Sequence, residues 1–139
     1  MDDSEFSEAA ANAVVAQVKP EGAEVKLLSV LDPYTVADPK KCPDFAGAVA
    51  GLRDRAVRKL LKTAEKLRMV GFNATNALVE EGDPRDVILD SAGRWRAGLI
   101  VVGSHGRKGI TGLLMGSVAE AVSRHAACSV EIVRLRSDA

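Results

Sequence analysis

Leu99, Ile100, Val101 and Val102 form an aliphatic run with no polar member, and glycines follow it at positions 103, 106, 109, 112 and 116. A strand covered on both faces has this character, and such strands belong to parallel sheets with helices packed on them. Ser117, with Glu120 three residues on, has the capping-box pattern, so a helix is expected to start where the glycines end. A strand that passes through a glycine loop into a helix N-terminus turns free backbone N–H groups and the positive end of the helix dipole toward one place. That place favours an anion, a phosphate above all.

Two common phosphate loops do not fit. A Walker loop needs Gly-Lys followed by Ser or Thr, and the stretch from Gly103 to Ser117 has no such triplet at the required position. The Rossmann pattern fails as well, because Gly103-x2-Gly106 is not G-x-G-x-x-G and stands late in the chain, not after its first strand.

The remaining segments alternate in period. Phe6, Ala9, Ala10, Ala13, Val14 and Val18 recur at helical intervals, with Ser4 as a possible cap and Lys19-Pro20-Glu21-Gly22 as the stop. Val25 to Leu31 reads as a strand bounded by Gly22 and Asp32-Pro33. Residues 32–46 hold three prolines and no periodicity, as a surface loop able to lid a site would. From about Gly47 to Val70, the stripe of Val49, Leu52, Ala56, Leu60, Ala64 and Leu67 predicts a long amphipathic helix. Ala77, Leu78 and Val79 are the core of a short strand, after which Asp83 as cap and Pro84 at the first position open a third helix. Its inner face is Val87, Ile88, Ser91, Ala92 and Trp95. The strand at 99–102 follows, then a fourth helix from Ser117 to about His125 and a last strand from Ser129 to Leu135. Such alternation predicts an α/β fold: an open parallel sheet with right-handed crossovers and helices on both faces.

At 139 residues, 47% of them apolar, one domain over residues 1–139 is expected. Nineteen cationic and nineteen anionic side chains cancel, so no net field draws the chain to nucleic acid or to an acidic membrane. There is no run of membrane-spanning length, and the acidic N-terminus is unlike a signal peptide, so a cytoplasmic location is expected. Cys42 and Cys128 lack metal-ligand spacing and read as reduced thiols without a catalytic role.

Gly103-x2-Gly106-x9-Gly116-Ser117 resembles the nucleotide-binding signature of the ATP-binding branch of the universal stress protein family. Asp2-x-Ser4-Glu5-x-Ser7 resembles that family's opening of its first helix, and Glu81-Gly82-Asp83-Pro84 its turn into the third; the closest match is Leu99 to Val133. The resemblance implies a Rossmann-like sheet of the adenine nucleotide alpha hydrolase type, with ATP as ligand and Mg2+ beside it. It also implies an apolar strand ahead of the Asp-x-Ser-Glu signature, lying centrally in the sheet, where this sequence has Met1 alone. The expectation is a truncated or displaced start, with a natural rearrangement as the rival. The sheet should then have a gap with unpaired edges, unless a neighbouring chain's strand fills it.

The same resemblance supplies a set of site residues. Gly103, Gly106, Gly116, Ser117 and Val118 match the phosphate-binding segment, Val30 the adenine-contacting position and Val102 the residue before the first glycine. Asp2 matches an aspartate that contacts the adenosine part, although nothing local would hold it there. Ala119 stands where some members have a hydroxyl, which removes one phosphate contact. Each residue also has a plainer reading. The glycines can be turn residues, the valines sheet core, Ser117 a helix cap, and Arg107 and Lys108 either solvated charges or screens for a polyphosphate. His105 reads as a solvent-facing loop residue, and His125 as a partner of the terminal helix carbonyls.

No nucleophile, base and orienting group converge in the sequence, and no carboxylate cluster marks a metal centre, so no catalytic and no metal-ligating residue is assigned. The expected function is regulatory nucleotide sensing, with a slow ATP hydrolase or related nucleotide enzyme and a non-binding dimerisation module as alternatives. Val130 to Leu135 mixes apolar and charged residues as an edge strand does. In the family that edge pairs with its copy in a second subunit, which implies a homodimer.

Overall fold

The computed structural model describes residues 5–33, 38–105 and 115–135. In chain order the elements are α1 (Glu5–Gln17), β1 (Glu24–Leu31), α2 (Phe45–Met69), β2 (Asn73–Glu81), α3 (Pro84–Trp95), β3 (Leu99–Gly103), α4 (Ser117–His125) and β4 (Ser129–Val133). Two bounds differ from expectation. β2 begins four residues before Ala77, because its start pairs with Glu24 and Val25 of β1. β4 ends at Val133, opposite Gly103, where β3 also ends, so Arg134 and Leu135 lie beyond the strand.

Local chemistry fixes the helix ends. The Asp44 carboxylate accepts from the Gly47 N–H at 3.1 Å to start α2, and Asp83 accepts from the Arg85 N–H at 2.9 Å to start α3, with Pro84 at its first position. At the other end of α2, Gly71 turns the chain at φ +105°, and Phe72 N–H returns to the Leu67 carbonyl at 3.0 Å. α2 buries the expected stripe, with Leu60, Ala64 and Leu67 at most 1% exposed. These meet Leu27, Phe72 and Ala74 in the main core, and Val14 and Val15 of α1, with Val18 just after it, pack against it. Each buried leucine stabilises the fold by roughly 1.5–3 kcal/mol.

The strands form two parallel pairs. β1 pairs with β2 from Glu24–Asn73 to Leu31–Glu81, with one irregularity after Val25; β3 pairs with β4 from Leu99–Ser129 to Gly103–Val133. Beside the irregularity the Arg68 guanidinium donates to the Ala74 carbonyl. Among the described residues no ladder joins β1 to β3, so the single expected sheet is divided into two parallel pairs. Helices hold the halves together: α1 lies against β3 and β4 as well as the main core, and α3 touches both β1 and α4.

Candidate phosphate-binding site

Ser104 continues the β3–β4 ladder by one bond, its N–H donating to the Val133 carbonyl at 2.9 Å. Its own carbonyl accepts from the Gly116 N–H at 2.7 Å. The chain therefore leaves the strand end at Ser104 and returns to the same residue twelve residues later, at the start of α4. Gly116 has φ −63° and ψ 153°, angles open to any residue. What requires glycine is space: a Cβ there would lie 2.8 Å from the Ser104 carbonyl oxygen and 3.2 Å from the His105 Cα.

Gly116 is also the N-cap of α4, and its carbonyl accepts from the Glu120 N–H at 3.0 Å. This corrects the expected capping box: Ser117 is the first helical residue, not the cap, and among the described residues no side chain caps the turn. The first-turn N–H groups are donors that a helix cannot satisfy internally. An anion seated there would take those bonds and meet the positive end of the dipole. The Ser117 side chain is exposed, and Val118 is half-buried. Glu120 adds a negative charge to the first turn, but Arg124 pairs with it at 2.8 Å.

The residues before the loop are ordered by the strand. Val102 and Gly103 are half-buried at the C-terminal end of β3, opposite Ile132 and Val133. Ser104, which the sequence motif passes over, is 3% exposed, and its Oγ shares a hydrogen bond of 3.1 Å with His105 Nδ1. His105 is thus half-buried and hydrogen-bonded, not the solvent-facing residue expected. Only the tight return of Gly116 to Ser104, invisible in composition, reveals the importance of Ser104.

Residues 1–134 match the sequence pattern of the universal stress protein family. The chain belongs to this family. A universal stress protein of Thermus aquaticus is 29% identical over 138 residues, covering 96% of this chain and 93% of that one. The structure of the hypothetical protein MJ0577 is similar at TM-score 0.84 and 27% identity, over 99% of this chain and 94% of that one. A universal stress protein family member from Arabidopsis thaliana, solved with AMP bound, shares the fold at TM-score 0.70 and 23% identity, over 96% of this chain and 81% of that one.

Within this universal stress protein, the structure gathers Val102, Gly103, Gly116, Ser117 and Val118 around the junction of β3 and α4. Val30 lies near the C-terminal end of β1, in the other strand pair, opposite Glu80. Asp2, Gly106 and Arg107, with Lys108, lie outside the described residues. Ala119 is 3% exposed and packs inward, so the core sets its small size. Among the described residues no three His, Cys, Asp or Glu side chains gather as a metal site, and no helix is long and apolar enough to cross a membrane.

Proposed function

We propose that this universal stress protein binds an adenine nucleotide, ATP with Mg2+, as a regulatory cytoplasmic sensor. The uncapped first turn of α4, set against the strand end by the Gly116–Ser104 closure, is the observation that carries it. Phosphate oxygens accept from that turn and from the Ser117 hydroxyl, with Gly103, Gly106 and Val118 shaping the approach and Arg107 screening charge. Val30 and Val102 line the adenine side, and Asp2 is assigned to the adenosine part. Mg2+ enters on the polyphosphate that it neutralises. Two copies associate through the Val130 to Leu135 edge, and sedimentation equilibrium at micromolar concentration should show a dimer; a monomer would remove that part of the proposal.

The decisive test is calorimetric titration of ATP into the parent and into Ser117→Glu. A carboxylate in the first turn suits the helix dipole, so the variant should fold as well as the parent. It sets a negative charge where the phosphate sits, at a cost of about 1–4 kcal/mol, or roughly a 5- to 1,000-fold loss of affinity. No heat with the parent, or equal affinity in a well-folded variant, refutes the assignment.

A further inference from the structure

The opposite end of β3 adjoins a cavity. The C-terminus of α3, the first residues of β3 and the turn from α4 into β4 line a half-open cavity of about 330 Å³, with Arg96 and His125 exposed at it. Ile100 in its wall precedes Gly103 by three residues, which is roughly 10 Å of strand, so the cavity is separate from the glycine loop. Leu89, Ala92 and Ile100 give it an apolar lining, Arg96 and His125 are its basic members, and the Cys128 thiol completes its polar groups.

Two features of the basic side chains stand out. The neighbouring cations on the same helices are neutralised, Arg94 by Asp90 at 3.2 Å and Arg124 by Glu120 at 2.8 Å. Among the described residues neither Arg96 nor His125 enters an ion pair, and no carboxylate lines the cavity. Arg96 also holds φ 58° and ψ 49° as the C-cap of α3, a left-handed conformation that glycine adopts without strain. An arginine there puts a cation beside an apolar cavity at a conformational cost.

We propose that this cavity binds a small anionic amphiphile, a carboxylate with an aliphatic or aromatic tail. The carboxylate meets Arg96 and His125, and the tail lies on Leu89, Ala92 and Ile100. At about 30 Å³ per water-sized group, the cavity holds a tail on the order of ten heavy atoms. Such a size is at the lower end of small-molecule pockets.

Titration of octanoate into isotope-labelled protein, followed by amide NMR shifts, tests this, with octylamine as the charge control. Saturable shifts confined to the ends of α3 and α4 are expected with octanoate and none with octylamine. Arg96→Gly relieves the left-handed backbone and should weaken octanoate about tenfold. Gly93 lines the cavity and a Cβ there meets nothing within 4 Å, so Gly93→Leu has room for its side chain, crowds the tail and should weaken binding. ATP titration should be the same in both variants. Equal affinity for octanoate in Arg96→Gly, equal binding of octylamine, or shifts that are absent or spread over the whole chain would overturn the proposal.

Discussion

Replacing Gly116 by alanine isolates the closure of the glycine loop from its chemistry. The backbone angles at 116 are ordinary, so alanine brings no conformational strain there and, by narrowing the unfolded ensemble, would stabilise by about 0.4–1 kcal/mol if space allowed. Space does not allow it. The new Cβ lies 2.8 Å from a backbone oxygen, and Ser104 cannot move away without lengthening its 2.9 Å bond to Val133 or the 2.7 Å bond from Gly116. Overpacking costs about 1–3 kcal/mol and a lost hydrogen bond about 1 more, which leaves a net destabilisation of roughly 1–4 kcal/mol. Urea unfolding measures the total. Amide hydrogen exchange locates it, since Gly116 and Ser104 should lose protection while Leu27 and Leu78 keep theirs. Unchanged stability with unchanged protection at Gly116 would refute the view that glycine is required for space. The same geometry makes a bulky residue at 116 a poor probe of nucleotide binding, because it breaks the loop before any ligand arrives.

Three further outcomes follow from other parts of the fold. Asp83 is held at a pKa of about 2, from an ordinary 3.8, first by hydrogen bonds from the Arg85 side chain and then by the Arg85 N–H. Because the fold favours the ionised form, its contribution is present above about pH 4 and fades as pH falls toward 2; Asp83→Ala should cost about 1 kcal/mol in neutral urea titrations and less near pH 2. Gly93→Ala, in an exposed helical position with open space, should stabilise α3 by about 1 kcal/mol in thermal unfolding, and a loss would show that the site is not free. Leu67→Ala empties a fully packed core position and should cost about 2–5 kcal/mol by urea unfolding; less than 1 would mean that α2 is not seated as described.

The elements were legible because their signals are local. Asp83-Pro84 announces a helix start by capping chemistry alone, and the stripe through Leu52, Leu60 and Leu67 announces a buried face by period alone. The capping box at Ser117 misled for a physical reason. A serine three residues before a glutamate marks a cap only if its own backbone is extended, and here the extended residue is Gly116, drawn out of the helix by its bond to Ser104. That bond spans twelve residues of sequence and depends on where β3 ends, which no local pattern contains. His105 departs from its sequence expectation for the same reason: its partner Ser104 is buried through the ladder to β4.

The divided sheet bears on how a ligand would be held. The proposed phosphate end would rest on a single structural half, since β3, β4 and α4 are joined by the ladder, the Ser104–Val133 bond and the Gly116 closure. Val30 rests on the other half, tied to β2. In a continuous sheet, backbone bonds would fix the span between them. Here the span is set by helices packed across the division, α1 from one side of the core to β3 and β4, and α3 from β1 to α4. Helix packing is less directional than a ladder, because side-chain contacts shift by fractions of an ångström where a hydrogen bond would break. In the proposed site, the residues assigned to phosphate are therefore held by backbone bonds within one half, and the packing of α1 and α3 sets their distance from Val30.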